Sequence, residues 1–135
     1  MSFIKDLFDK PTNLTAASRY TVANGFFYLG SGALLLAWPG ATQTLFMEPA
    51  FVGHEKALFR VIGMTVAIIG LFYLFGGRSG ARQLVAASVV ERLAVPAVLL
   101  PLAIAGVFPH VLVMFAILDP LLAIGAWVLL SRNKE

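Results

Sequence analysis

The chain contains no cysteine among its 135 residues. This absence excludes disulfide bonds, thiolate catalysis, CxxC redox chemistry and metal or iron–sulfur centres with cysteine ligands. The sequence also lacks a glycine-rich nucleotide loop, an HExxH zinc motif and a Ser-His-Asp order. We therefore predict none of the common nucleotide-dependent, zinc-dependent or serine-hydrolase sites.

Charged residues are scarce. They make up 13% of the chain, whereas hydrophobic residues make up 59%; soluble domains carry about 25% charged residues. This composition predicts one integral membrane unit. The net charge of +3 would suggest nucleic-acid binding in a soluble protein. Here the basic residues lie mostly at the ends of apolar segments, as membrane topology requires, and we expect no nucleic-acid partner.

Four apolar runs are long enough to cross a hydrocarbon core of about 30 Å as helices. We predict an all-α, integral membrane four-helix bundle that forms a single domain over residues 1–135, with spans at about 14–38, 55–76, 81–108 and 110–131. The connection between the last two spans is so short that it forces a tight hairpin, and Pro109 suits the first turn of the fourth helix.

Residues 1–10 predict a short amphipathic helix that lies in the membrane interface. Its apolar side chains share one helical face and its charged side chains the other: Phe3, Ile4, Leu7 and Phe8 against Lys5, Asp6, Asp9 and Lys10. The alternative is a frayed terminus, because so short a helix is marginal without a supporting surface.

The distribution of Lys and Arg predicts that both termini face the cytoplasm of a bacterial inner membrane. Seven basic residues lie on the side of the termini, namely Lys5, Lys10, Arg19, Arg78, Arg82, Arg132 and Lys134, and only Lys56 and Arg60 lie on the opposite side. We expect the first span to be retained rather than cleaved as a signal peptide, because acidic residues precede it and no A-x-A site follows it.

Three ionisable residues, Glu91, Arg92 and Asp119, interrupt the third and fourth apolar runs. Asp119 follows His110 by nine residues, which is about 13 Å along a helix and near the bilayer midplane. Glu91 and Arg92 reach a similar depth from Arg82. Each charge at this depth costs at least about 2.5–3.5 kcal/mol unless it is paired, neutralised or hydrated. We therefore predict that all three face the interior of the bundle.

Arg92 and Asp119 form the predicted ion pair, because the tight hairpin makes the third and fourth helices neighbours. That pairing leaves Glu91 without a cation, and its candidate partners are Arg60, Tyr28 and Asn24. Two interpretations stay open, a purely structural ion pair and a functional polar cavity. For the cavity, the predicted ligand-binding residues are Arg92, Asp119, Glu91, Tyr28, Asn24, Ser88 and Arg60.

Two histidines and a methionine, His54, His110 and Met114, are ligand types that suit copper or haem. No ligand motif joins them, and single histidines at a membrane interface usually face water. We therefore predict no metal site and keep these three residues only as the alternative.

The segment FRVIGMTVAIIGLFYLFGGRSGAR, Phe59 to Arg82, has an arginine, a glycine three residues later, a glycine-aromatic stretch and a short basic loop. This pattern resembles small bacterial four-helix membrane proteins of the DoxX-like kind, and NGFFYLGSGALLLAWPG, Asn24 to Gly40, is similar to their first helix. The resemblance implies a membrane subunit associated with quinone-linked oxidoreductases. Any thiol-dependent chemistry in that group would not transfer, because cysteine is absent.

Three hypotheses follow for function. The first is an inner-membrane binding module for a lipophilic small molecule, a quinone or a lipid, working as a subunit of a membrane oxidoreductase. The second is an enzyme that moves a proton on a lipophilic substrate, with Glu91 or Asp119 as catalytic acid or base. The third is a small proton-coupled transporter. As partners we predict the lipid bilayer and a lipophilic small molecule, with a homo-oligomer or a larger membrane complex as the alternative to a single chain. Oligomerisation is expected for the transporter, because four helices alone make a narrow pathway.

The predicted topology is testable with reporter fusions. A reporter fused after residue 135 should be active only in its cytoplasmic form, because the basic residues cluster at that side. The same reporter inserted in the connection 39–54 is the matched control and should behave in the opposite way. An exported reporter at residue 135 would contradict the orientation.

Overall fold

The computed structural model describes residues 2–9, 11 and 13–132, and the helices contain most of them. Over these residues it shows six helices and no strand: α1 Phe3–Phe8, α2 Ala16–Ala37, α3 Ala41–Phe46, α4 Glu55–Arg78, α5 Arg82–Ile104 and α6 Pro109–Arg132. Four of them, α2, α4, α5 and α6, are long and apolar enough to cross a membrane. The all-α class and the four candidate spans agree with the sequence analysis.

The hairpin between α5 and α6 begins earlier than predicted. The third span was expected to reach residue 108, but α5 ends at Ile104. The following turn places Gly106 at φ 89° and Phe108 at φ 41°, a backbone conformation that costs a residue with a side chain more than it costs glycine. Pro109 begins α6, as the sequence predicts.

Glycines bring α2 and α4 into backbone contact. A Cβ atom added at Gly32 would lie 2.2 Å from the Ala67 nitrogen, and one added at Gly70 would lie 2.3 Å from the Leu29 nitrogen. A Cβ atom added at Gly25 or Gly63 would also collide with the backbone of the facing helix, at 2.5 Å and 2.6 Å. Within each helix these glycines are seven residues apart, which is two helical turns, so they follow one face. The result is a tightly packed pair, α2 with α4.

A second pair is formed by α5 and α6. Most contacts between helices lie within these two pairs. The pairs meet where α2 approaches α6: the Tyr20 hydroxyl donates to the Leu122 carbonyl at 3.0 Å. Gly125 leaves room for this ring, because a Cβ atom there would lie 2.4 Å from the Tyr20 hydroxyl oxygen. In contrast, α4 and α5 touch each other at few points.

The long connection between α2 and α4 covers the start of α6. Buried Glu48 accepts hydrogen bonds from the backbone nitrogens of His110, at 3.3 Å, and Val111, at 2.7 Å. A carboxylate in this position satisfies free N–H groups and complements the positive end of the helix dipole. His110 adds a contact of 2.7 Å between its Nδ1 and the Phe46 carbonyl.

The short helix α1 covers Phe3–Phe8, while positions 1 and 10 of the predicted amphipathic segment lie outside the described residues. Its Phe8 ring meets the Phe75 ring edge-on at 5.7 Å between centroids. The Arg78 guanidinium lies 5.8 Å from the Phe8 centroid. The helix therefore sits against the end of α4, and its location in the membrane interface stays a prediction.

The glycine contact can be tested with two alanine substitutions on one helix. Gly32→Ala should destabilise the protein by about 1–3 kcal/mol, because the new methyl group collides with the α4 backbone. Gly30→Ala is the control, since its Cβ would meet nothing within 4 Å. Thermal unfolding in detergent measures both. Equal melting temperatures for the two variants would contradict the proposed packing.

Candidate functional site

A hydrogen bond between α2 and α6 ties Tyr28 to Asp119. The Tyr28 hydroxyl donates to Oδ1 of Asp119, and both side chains are buried. Neither residue has a partner of this kind on its own helix, so the bond joins the two helix pairs. In hydrocarbon it replaces the water that would otherwise satisfy both groups.

A second bond of the same type ties Tyr73 on α4 to Glu91 on α5. The Tyr73 hydroxyl donates to Oε2 of Glu91. Tyr73 is buried, whereas Glu91 is exposed on the protein surface. Tyr28 and Tyr73 of the α2–α4 pair thus each bind one carboxyl group of the α5–α6 pair, and their two rings pack edge-on with centroids 5.4 Å apart.

Arg92 lies between these two bonds and has no exposed surface. Its Nε donates to the Ser88 carbonyl and its Nη2 to Ser88 Oγ, both at 3.1 Å. The guanidinium carbon lies 5.0 Å from the centroid of the Tyr73 ring, which is cation–π distance. Arg92 and Glu91 also lie within electrostatic reach of Asp119. One cation is therefore enclosed with two carboxyl groups and two phenols.

The predicted direct pair of Arg92 with Asp119 is not formed. Asp119 accepts its hydrogen bond from Tyr28, while Arg92 is held by Ser88 one turn earlier on its own helix. The partners expected for Glu91 were also wrong, because Tyr73 occupies that place instead of Arg60, Tyr28 or Asn24. The physical reason is competition for partners: Ser88 on the same helix accepts hydrogen bonds from the guanidinium, and the Tyr28 hydroxyl occupies Oδ1 of Asp119.

An apolar cavity of about 340 Å³ opens beside this polar group. Its polar end is formed by Tyr28, Glu91 and Asp119. The walls come from α4, α5, the hairpin and α6, and they are Ile62, Val66, Ile69, Val95, Leu99, Leu102, Val107, Phe108, Leu112 and Phe115. The cavity thus lies between the two helix pairs, with walls from α4 and α5, which touch each other at few points.

The other predicted ligand-binding residues do not line this cavity. Arg92, Ser88 and Asn24 are buried and do not contribute to its lining. Two of them keep unsatisfied donors, since Arg92 Nη1 and Asn24 Nδ2 have no hydrogen-bond partner. Arg60 belongs to a different region and lines a shallow pocket at the start of α4. The structure therefore groups five of the seven predicted residues, Tyr28, Ser88, Glu91, Arg92 and Asp119.

The alternative metal ligands are dispersed. His110 contacts the Phe46 carbonyl through Nδ1, and His54 precedes the first residue of α4. Met114 lines a separate apolar cavity between α2 and α6. Over the part of the chain that the structure describes, no group of three or more His, Cys, Asp or Glu side chains is placed to hold a metal ion.

Two functional contacts were missed by the sequence analysis. Tyr73 is not among the residues predicted from the sequence, although a phenol inside an apolar helix needs a hydrogen-bond partner and its presence could have signalled one. Glu48 was not singled out, because a carboxylate in a loop carries no pattern that reveals which helix it will cap.

Comparisons with family models, with curated proteins and with solved structures give no match. The likeness to DoxX-like proteins therefore stays a prediction from the sequence.

The Tyr28–Asp119 bond can be tested by a double-mutant cycle. Tyr28→Phe and Asp119→Ala should each destabilise the protein, and the pair should lose less than the sum, with a coupling energy of about 1–2 kcal/mol. Unfolding in detergent gives the four stabilities. The matched cycle replaces Tyr28→Phe by Tyr20→Phe, which removes a phenol bonded to Leu122 and not to Asp119. Additive losses for Tyr28 and Asp119 would contradict the bond.

Proposed function

We propose that the chain is a membrane-embedded binding protein for a lipophilic small molecule of the quinone or lipid class. The observation that carries this proposal is the cavity of about 340 Å³, whose walls are apolar and whose polar end presents Tyr28, Glu91 and Asp119. Small-molecule sites commonly have about 300–1,000 Å³ and combine apolar walls with a few polar groups that fix orientation.

The chemistry of the cavity selects its ligand. The apolar walls resemble the hydrocarbon of the bilayer, so the transfer of an apolar ligand from lipid to the cavity gains little free energy. The polar end supplies the binding free energy, because a ligand group that forms hydrogen bonds is poorly solvated in hydrocarbon and finds partners there. A carboxylate accepts a hydrogen bond from a hydroxyl, such as that of a quinol, and a protonated carboxyl donates to a carbonyl, such as that of a quinone. A lipid with a carbonyl or hydroxyl head meets the same requirement.

The ligand is proposed to enter sideways from the bilayer between α4 and α5. Both helices contribute walls to the cavity, and they touch each other at few points. Glu91 lies at this side and is exposed on the surface, although it is many residues from either end of the apolar run. An exposed carboxyl group at that depth marks the polar end of the cavity as reachable from the hydrocarbon region.

Two other activities rest on the same residues. Glu91 or Asp119 would act as the acid or base of an enzyme, or would carry the proton of a coupled transporter. The Tyr73 hydroxyl holds Glu91 at the polar end of the cavity, an arrangement that suits recognition of a polar head group, and the variants of Glu91 described below separate binding from proton transfer. Placement in a bacterial inner membrane, and work as a homo-oligomer or as a subunit of a larger oxidoreductase, belong to the proposal.

Filling the cavity should abolish binding. Val95→Trp places an indole in the cavity, because Val95 lines it, and should weaken binding of a decyl-substituted benzoquinone at least about tenfold. Val98→Trp is the matched control, since Val98 is 62% exposed one turn further along α5. Titration followed by native mass spectrometry measures both. Equal affinities for the two variants would place the ligand elsewhere.

Two substitutions of Glu91 separate binding from proton transfer. Glu91→Gln keeps a donor and an acceptor and removes the exchangeable proton, whereas Glu91→Ala removes the whole polar group. A binding protein should retain the quinone in the first variant and lose it in the second. An acid–base enzyme or a proton-coupled carrier should lose activity in both. If both variants keep the quinone as the parent does, Glu91 is structural and the site is wrong.

A further inference from the structure

A second pocket, apart from the candidate site, lies where α2 begins and α4 ends. It has a volume of about 310 Å³ and is lined by Leu14, Arg19, Val22, Ala23, Phe26 and Arg78. Two of these residues are cationic and four are apolar. None of them belongs to the cavity that holds Tyr28, Glu91 and Asp119.

The two arginines share this pocket without a counter-charge in its lining. Arg19 lies in the first turn of α2 and Arg78 is the last residue of α4. The Nε of Arg78 is buried and has no hydrogen-bond partner. The face of its guanidinium is near the Phe8 ring, 5.8 Å from the centroid. Because two like charges that line one pocket repel each other, an anion placed between them would stabilise both.

The pocket combines this charge with an apolar floor at the depth of a lipid headgroup. The 24 residues of α4 extend about 36 Å, which exceeds a hydrocarbon core of about 30 Å and places the terminal Arg78 at the headgroup level. Val22, Ala23 and Phe26 follow Arg19 by one to two turns toward the hydrocarbon, and Phe26 is 60% exposed. Gly77 keeps the two helices close here, since an added Cβ would lie 2.8 Å from Val22 Cγ2.

We propose that this pocket binds an anionic phospholipid, with its phosphate between Arg19 and Arg78 and one acyl chain along Val22, Ala23 and Phe26. Arginine suits this role because its planar guanidinium donates two parallel hydrogen bonds to a phosphate. The apolar floor selects a phospholipid over free phosphate, which has nothing to place there. The site is independent of the quinone or lipid cavity, and neither needs the other to be occupied.

Native mass spectrometry of the full chain tests the charge requirement. The purified protein is titrated with phosphatidylglycerol and, separately, with phosphatidylcholine of the same acyl chains. The parent should prefer phosphatidylglycerol, and the double variant Arg19→Gln with Arg78→Gln should lose about tenfold in affinity for it. The control is Arg82→Gln with Arg132→Gln, which removes two arginines at the same end of the bundle and outside the pocket lining. Equal losses in both double variants would overturn the site.

A second pair of variants tests the apolar floor while both arginines stay in place. Ala23→Trp fills the groove and should reduce phosphatidylglycerol binding, whereas Ala33→Trp, at an exposed position of the same helix, should not. Glycerol 3-phosphate, which has the anion without acyl chains, should fail to displace the bound lipid. Displacement by glycerol 3-phosphate, or unchanged binding in Ala23→Trp, would show that the occupant is not a phospholipid.

Discussion

The hydrogen bond from a tyrosine to a carboxyl group across a helix interface is the interaction on which the rest of this structure depends. In a bilayer, a polar group without a partner costs several kcal/mol, and water is absent from the hydrocarbon region. The Tyr28 hydroxyl supplies a hydrogen-bond partner to Asp119, and the Tyr73 hydroxyl supplies one to Glu91. Because each bond joins one helix of α2–α4 to one helix of α5–α6, the contacts that satisfy these polar groups also connect the two pairs, together with the Tyr20–Leu122 bond.

The packing within the α2–α4 pair differs from the packing between the two helix pairs. Backbone contact at glycines makes α2 and α4 one rigid unit, whereas the two units meet through polar bonds and bulky side chains. Large side chains leave gaps where small ones do not, and the cavity of about 340 Å³ lies along this looser interface. The tyrosine–carboxyl hydrogen bonds therefore connect the two units, and three of their four residues form the polar end of the cavity. A ligand that reaches them would interact with the group that fixes the two units.

The helical architecture was predictable from the sequence, because length and hydropathy identify apolar spans directly. The depth of Glu91, Arg92 and Asp119 was also predictable from the helical rise, and the structure does place these residues together. Their partners were not predictable. Which side chain of α4 meets Glu91 depends on how α4 is rotated and on how far it stands from α5, and glycine contacts with α2 set that rotation. Similarly, the cap of α6 by Glu48 depends on the path of an irregular loop.

Distance measurements between spin labels would test directly whether the tyrosines hold the two helix pairs together. The absence of cysteine allows two labels to be placed alone, at Leu71→Cys on α4 and Leu121→Cys on α6, both exposed. The parent background should give one narrow distance distribution in lipid. Adding Tyr28→Phe and Tyr73→Phe should broaden it toward longer distances, because both tyrosine–carboxyl bonds between the pairs are lost and only the Tyr20–Leu122 bond remains. An unchanged narrow distribution in that background would contradict the account.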